Sequence, residues 1–400
     1  MTITSPVLPA STNSPVPAGK QNFTLPLKES DQDTLSSDKA YNHPSGLSQA
    51  QLSEFARELD ELRDEILADL GKNDAAYIRR IISIQRRLEV AGRISLFAGV
   101  LPPFWLAGVA MLGTAKILEN MEIGHNILHG QWDWMRDPDI HSSTWEWDNT
   151  CPADQWKHSH NYMHHMWTNV IGKDRDVGYG ILRMSDDQPW SRWVLTQPAI
   201  ATMLAFLFEW GVALHDVEIE NLFKAQVDKQ VTVTKLKGIA RKVRGQVLKD
   251  YVAFPALAGP FWAQVLTGNL AANLIRNLWS FTIIFCGHFP DGAKHFTEQD
   301  LVDETRGGWY ARQVMGSANL DGGKLFHIMS GNLSHQIEHH IFPDMPSNRY
   351  SQIAPRVREI CERHGISYTT GPLGRQFGQV VRRIFRLALP GKANSSPRVI

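Results

Sequence analysis

The sequence predicts an all-α, multi-span helical membrane protein whose cap, outside the membrane, holds a histidine-rich metal site. Long apolar stretches over about 82–118 and 252–288 predict the membrane part, because one helical crossing needs roughly 20 mostly apolar residues. Histidine clusters beside these stretches predict the cap. Within the clusters, histidines recur four residues apart, a spacing that places them on one face of a helix.

Three short segments carry these histidines. They are box one, His125-Asn126-Ile127-Leu128-His129; box two, His160-Asn161-Tyr162-Met163-His164-His165; and box three, Ser334-His335-Gln336-Ile337-Glu338-His339-His340. With 16 His in 400 residues, chance gives fewer than one pair at this spacing, and the chain has three. Imidazole binds iron, zinc, copper and nickel. The boxes supply too many nitrogens for one tetrahedral zinc and suit two metals with open positions.

Composition excludes several other classes of protein. The formal net charge is +0, so nothing favours a nucleic-acid partner. Cys151, Cys286 and Cys361 are far apart, which argues against a disulfide framework and a thiolate zinc site and fits a reducing compartment. The polar first 40 residues contain no apolar signal segment. The mean hydropathy of −0.26 leaves the number of membrane crossings open.

The N-terminal part predicts a disordered tail followed by a helix. Residues 1–46 are rich in Ser, Thr, Pro, Asn and Asp, a composition that cannot bury a core. Ser48 and Gln51 make a capping box, after which apolar residues recur at helical spacing until about Gly71. We expect this amphipathic helix to pack on the body of the protein.

A second helix is predicted over 74–93, with five arginines. They mark a cytoplasmic flank or, compatibly, a cationic surface for an acyl carrier or redox partner. The apolar run 94–118 has Pro102-Pro103 in its middle. It is either one bent span or a hairpin whose first arm starts among the arginines.

The middle of the chain predicts an interfacial segment, a basic loop and a second hairpin. Residues 193–214 are apolar but contain polar residues and a proline, so we expect them to lie in the interface. A lysine- and arginine-rich loop follows and should stay cytoplasmic. Residues 252–289 are long enough for two crossings, with a bend near Pro260 or Gly268. The chain from His288 onward is predicted to be soluble and to end in a polar tail over 386–400.

The boxes resemble those of the membrane fatty acid desaturases. The run Gln336-Ile337-Glu338-His339-His340-Ile341-Phe342-Pro343 is especially similar, and the resemblance extends to Met121–Trp134, His141–Trp147 and Phe285–Gly292. It covers roughly residues 48–385. It implies a mushroom-shaped protein with two hairpins, about four spans, and a cytosolic helical cap made by 119–192 and 289–385.

The resemblance also implies the chemistry. Two irons with O2 as co-substrate would insert a cis double bond into a long-chain acyl group, at position 9 of stearoyl-CoA. The enzyme would lie among lipids of the cell (inner) membrane, with its active site facing the cytoplasm. The sequence contains no G-x-G-x-x-G cofactor motif, so we expect electrons from an external NADPH-dependent flavin or iron–sulfur reductase.

Family ligands carry over by matching position. They are His125, His129, His160, His164, His165, His288, His335, His339 and His340. Some animal relatives add an Asn, through a water, four residues before the ligand that matches His288. Here that position is Ile284, so such an Asn is either absent or comes from elsewhere, and Asn332 is the candidate we predict.

Other residues receive weaker predictions. Ligating imidazoles need their second N–H held, and the candidates are Glu119, Glu122, Asp154 and Glu338, each of which is equally a possible surface acid. Tunnel walls are predicted at Trp145, Trp147 and Trp156, which are as often ordinary packing. His158 is an alternative ligand to His160. Histidines predicted to be structural or exposed are His215, His295, His327 and His364.

Two other functions fit the same histidines. Membrane hydroxylases of alkyl or lipid substrates use the same kind of oxidant, and only the resemblance favours desaturation. A non-catalytic metal-binding protein or transporter would place its ligands within the membrane. The boxes lie beside the apolar stretches, which disfavours transport.

Overall fold

The computed structural model describes residues 43–217 and 229–390, and they are mostly helical with very little strand. The all-α prediction is therefore confirmed for the described part of the chain. Most of the predicted tail 1–46, and the end of the polar tail from residue 391, lie outside these ranges. The helices are α1 Gln49–Ala68, α2 Lys72–Phe97, α3 Pro102–Leu118, α4 Ala153–Trp156, α5 Gln197–Phe206, α6 Phe208–His215, α7 Lys229–Gln246, α8 Trp262–His288, α9 Arg306–Met315, α10 Lys324–Met329, α11 Gln336–Ile341, α12 Tyr350–Arg363 and α13 Leu373–Ala388.

Helix α1 begins and packs as predicted. The Ser48 side chain accepts from the Gln51 backbone N–H, and the Gln51 side chain accepts from the Ser48 backbone N–H. The apolar face of α1, which includes Leu52, Phe55 and Leu59, is fully buried against α9 and α12. The capping box thus starts a helix that belongs to the cap.

Helices α2 and α3 form a hairpin, so the alternative of a single bent span is wrong. Pro102 and Pro103 occupy the first two positions of α3, where a missing backbone N–H is tolerated. The two helices approach closely at glycines: a Cβ on Gly92 would lie 2.8 Å from the Leu112 backbone nitrogen and 3.1 Å from the Gly108 oxygen. Only glycine fits such a contact.

The second hairpin begins earlier than predicted. The basic stretch predicted as a loop is helical from Lys229 and continues through a π-helical turn, Val247–Ala253, to Leu257. The chain reverses at Gly259, whose φ of +54° favours glycine, followed by Pro260. The bend therefore lies at the Pro260 position rather than at Gly268, and α8 returns to His288.

Membrane-crossing character is concentrated in α8. Within the described ranges, the helix Gly259–His288 is long and apolar enough to cross a membrane. The pair Arg192–Phe206 and Phe208–His215 reaches that threshold only if both helices are taken as one span, and a bend of 101° separates them. The expectation of about four spans is thus supported only in part.

Buried charges inside the hairpins explain the weak hydropathy of their other arms. Asp250 is fully buried and binds two cations, accepting from Arg93 at 3.0 Å and from Lys116 at 2.8 Å. These charged side chains make α2, α3 and the helical turn after α7 less apolar in sequence. Inside the bundle, however, the acid and the two cations are paired with each other. Hydropathy along the sequence cannot register this pairing.

The cap is completed by the C-terminal part of the chain. A short parallel pair of strands, β1 Asn319–Asp321 and β2 Thr370–Pro372, joins the segment before box three to the start of α13. Helix α13 packs on α5 and α8 and ends at Ala388, inside the stretch predicted as a polar tail.

Candidate metal centre

Boxes one and two lie on helices that contain a π-helical turn. Helix α3 continues through the turn Glu119–His125 into Asn126–Leu128. Helix α4 continues through Lys157–His164 into His165–Trp167. A π-helical turn is wider than an α-helical one and is frequent at functional sites. The sequence predicted helices here but not their π-helical geometry.

Eight of the nine predicted ligands converge. Group one is His125, His129, His160 and His339, and group two is His164, His288 and His340. In each group, one ring nitrogen per residue lies within 4.8 Å of the others. His165 lies between the groups, its ring centroid 4.6 Å from that of His129 and 4.5 Å from that of His340. His158 is exposed, so His160 is the box-two residue that faces the site.

His335 lies in neither group, and its prediction as a ligand is corrected. Its ring stacks on that of His327, with centroids 4.5 Å apart. The spacing rule fails because His335 has a non-helical backbone (φ −102°, ψ 57°) and α11 begins only at Gln336. Gln336 points to the site instead, with its Nε2 3.1 Å from Nε2 of His288. Its position four residues before His340 was the available sequence signal.

The donor set fits metal cations. Among the converging rings of the described residues, buried Nε2 atoms without a hydrogen-bond partner belong to His129, His160, His164 and His165; Nε2 of His335 is also without one but lies outside both groups. Two further Nε2 pairs meet across the site, at 3.2 Å between His125 and His339 and at 3.3 Å between His340 and His288. A cation is the natural partner for several buried lone pairs that face one another.

Burial keeps most of these imidazoles neutral. Several imidazoles of the site have a pKa well below the ordinary histidine value, mainly because burial desolvates them and also because neighbouring rings lie close. They include those of His125, His129, His165, His339 and His340. The neutral form is the one that binds metal. Burial would also lower the pKa of His164, but Asp174 and Asp176 raise it to about 9.

The second ring nitrogens have partners that the sequence did not reveal. Nδ1 of His160 lies 3.2 Å from Asp176, and Nδ1 of His164 lies 3.0 Å from Asp174. Nδ1 of His340 lies 3.1 Å from Oε1 of Gln313. These groups fix ring orientation, which tunes a metal site. Two acids about ten residues beyond box two were the available signal for Asp174 and Asp176.

The acids predicted to hold the second N–H of the imidazoles make other contacts instead. Glu122 is fully buried and accepts from Tyr77 at 2.8 Å, Ser347 at 2.7 Å and Asn332 at 2.9 Å. Glu122 therefore links box one to α2 through Tyr77, and to the residues before and after box three through Asn332 and Ser347. Asn332 donates its hydrogen bond to Glu122 and does not face the two histidine groups. Burial raises the pKa of Glu122 to about 7.

Glu338 and Asp154 also do not hold the rings of groups one and two. Glu338 accepts from Asn319 and Tyr368, each at 2.8 Å, which ties box three to the segment before β2. Burial raises the pKa of Glu338 to about 7. Asp154 is exposed. Glu119 lines an outer groove and is separate from both groups.

A narrow cavity adjoins group one. Its wall includes His125 and His160, aromatic residues and the α8 residues Ser280 and Ile284. Trp156 stacks on His160 with ring centroids 4.5 Å apart and contacts Trp147 at 5.1 Å. The structure thus places two of the predicted tunnel tryptophans on this cavity. Trp145 lines only the separate outer groove.

Comparison with known proteins agrees with this geometry. Residues 102–372 match the sequence model of the family described as "Fatty acid desaturase". The chain belongs to the fatty acid desaturase family. The desaturase is 50% identical to the NADPH-dependent stearoyl-CoA 9-desaturase of Mycobacterium tuberculosis, over 86% of this chain and 82% of that protein. The resemblance read from the boxes is confirmed.

More distant relatives are also desaturases. The sn-1 linoleoyl-lipid 6-desaturase of Synechocystis is 26% identical over 80% of this chain and 90% of that protein. Human fatty acid desaturase 3 is 25% identical over 57% of this chain and 49% of that protein. These relatives support an oxidoreductase of fatty acid metabolism.

Proposed function

We propose that the protein is an O2-dependent acyl-CoA desaturase that forms a cis double bond at position 9 of a stearoyl group. The observation that carries the proposal is the pair of adjacent imidazole groups beside a narrow cavity. The choice of substrate and position rests on the name of the Mycobacterium tuberculosis relative.

Two irons are the cofactor that we propose for the groups. Group one would hold one iron and group two the other, with His165 between them. Bound there, the irons supply an O2-derived oxidant able to remove hydrogen from an unactivated methylene. The overall balance takes two hydrogens from the substrate, two electrons from a donor and two protons from solvent, and reduces O2 to two waters.

The chain itself contributes position. Trp156 covers His160, and Tyr179 and Phe208 line the same cavity, so an acyl chain that entered it would be held in one place beside group one. Burial lowers the pKa of rings such as His125 and His339, so they are weak bases and would serve as metal ligands and not as proton acceptors. The depth to which the chain enters would then set the double-bond position.

Electrons would come from an external NADPH-dependent flavin or iron–sulfur reductase. The Mycobacterium tuberculosis relative is named as NADPH-dependent, which supports NADPH as the source of the electrons. We place the histidine groups on the cytoplasmic side of the cell membrane. Support comes from exposed cations on α7, Lys237, Arg241 and Arg244, that precede the apolar outer face at Leu248.

The test is gas chromatography with double-bond location on lipids of cells that express the wild type or His339→Ala. We expect a new 9-unsaturated acyl chain with the wild type and none with the variant. Mass spectrometry separates the competing chemistry, since loss of two hydrogens supports desaturation and gain of one oxygen supports hydroxylation. A hydroxylated product, or no His339-dependent product, would refute the proposal.

A further inference from the structure

One carboxylate touches both histidine groups. Oδ2 of Asp176 lies 3.2 Å from Nδ1 of His160, a member of group one. The same oxygen lies 3.6 Å from Nδ1 of His164, a member of group two. Its other oxygen, Oδ1, lies 2.8 Å from Nε2 of His215. Asp176 therefore stands where the two groups meet.

The neighbouring Asp174 has a narrower role. It lies 3.0 and 3.1 Å from Nδ1 of His164 and contacts no group-one ring. Its oxygens also accept from the backbone N–H of Asn169 at 2.7 Å and of Asp176 at 2.9 Å. These backbone contacts fix the loop that presents both acids. The two aspartates thus form a natural comparison, one touching both groups and the other only group two.

We propose that Asp176 is a positioning residue shared by the two metal subsites, held in place by His215. By accepting Nδ1–H of His160 and lying against Nδ1 of His164, it aims Nε2 of each ring at its own subsite. This inference rests on the proposed metal-bound function. It assigns a role to Asp176 and to His215, a histidine outside all three boxes.

The surroundings fit this role. Within the described residues, Nε2 of His160 and Nε2 of His164 are buried and have no hydrogen-bond partner, so the polar contacts that orient these rings are made through Nδ1. His215 is buried and lies at the end of α6. Its contact with Asp176 ties the bent α5–α6 segment to the metal centre.

Metal binding by purified protein tests the inference without using catalysis. Ferrous iron content per chain and affinity by chelator competition are measured for wild type, Asp176→Asn, Asp174→Asn and the exposed control Asp154→Asn. Loss of such outer partners typically weakens metal binding about 10–100-fold. We expect that loss at both subsites in Asp176→Asn, at one in Asp174→Asn and at neither in Asp154→Asn.

The Co2+ absorption spectrum adds a readout that a merely structural role would not move. It should change in Asp176→Asn and, more weakly, in His215→Gln, which removes only the support of Asp176. Thermal unfolding checks the fold, and His215→Gln carries the test if Asp176→Asn does not fold.

Outcomes separate the two proposals. A wild type that binds no iron or cobalt contradicts the proposed function itself. A wild type with two irons, beside an Asp176→Asn or His215→Gln variant of unchanged affinity and spectrum, overturns the shared role. Equal loss at both subsites in Asp174→Asn and Asp176→Asn also overturns it, because the carboxylate of Asp176 would then have no special place.

Discussion

Glu122 should be a main link between box one and the rest of the cap, and Glu122→Ala tests this. The substitution leaves three donors without their acceptor: the Tyr77 hydroxyl, the Asn332 amide and the Ser347 hydroxyl. Each unsatisfied buried donor costs about 1–3 kcal/mol. Removing a carboxyl whose ionisation burial already disfavours offsets part of the cost. We therefore expect the free energy of unfolding to fall by about 3 kcal/mol.

Denaturant unfolding of the detergent-purified protein, followed by tryptophan fluorescence, measures this loss. The matched control is Glu61→Ala on α1, which removes only an exposed ion pair with Arg57 and should cost at most about 1 kcal/mol. The loss expected for Glu122→Ala is a large part of the roughly 5–15 kcal/mol by which a typical domain is stable. If Glu122→Ala unfolds within about 0.5 kcal/mol of wild type, the hydrogen bonds of Glu122 do not hold the cap together.

Three further predictions follow from the same contacts. Burial raises the pKa of Glu122 to about 7 from 4.5, so its stabilising contribution is present below pH 4.5 and lost as pH rises through about 7. Glu122→Gln lacks this titration, and its stability relative to wild type should therefore rise between about pH 5 and pH 8 in denaturant titrations; a constant difference would contradict the shift. Gly124→Ala puts a Cβ 2.9 Å from that of Trp147 and should cost about 1–3 kcal/mol by the same assay, whereas a neutral effect would show that Trp147 can move. His339→Ala should bind less iron in group one while leaving the helix content, read by circular dichroism, unchanged; full iron content would remove His339 from the site.

Local signals predicted the elements that local contacts make. The capping box of Ser48 and Gln51 starts α1 because both partners are neighbours in sequence. Pro102 and Pro103 begin α3 for the same reason. The three boxes contain seven of the eight converging imidazoles, because short helical segments carry them, whereas His288 at the end of α8 was predicted from the resemblance alone.

Predictions failed where the structure depends on distant residues. His335 was assigned by its spacing within box three and by matching the family ligands, but the chain before Gln336 is not helical, so the ring turns to His327. Asp174 and Asp176 reach the site from a loop, where no periodicity marks them. The segment from Lys229 was predicted as a loop because it is rich in charged residues, but it forms the helical first arm of the second hairpin.

The π-helical turns in boxes one and two have a consequence for how this protein tolerates changes in length. Each turn accommodates a residue more than an α-helical turn would. Deleting one amino acid between Glu119 and Gly124 removes that extra residue and lets the turn relax to α geometry, so the helix beyond it keeps its orientation. A deletion in the α-helical part of α3 has no such compensation and would rotate every later side chain by about 100°. His125 and His129 would then point away from their subsite together, so indels in α3 should be far more damaging than insertions in the turn between α7 and α8.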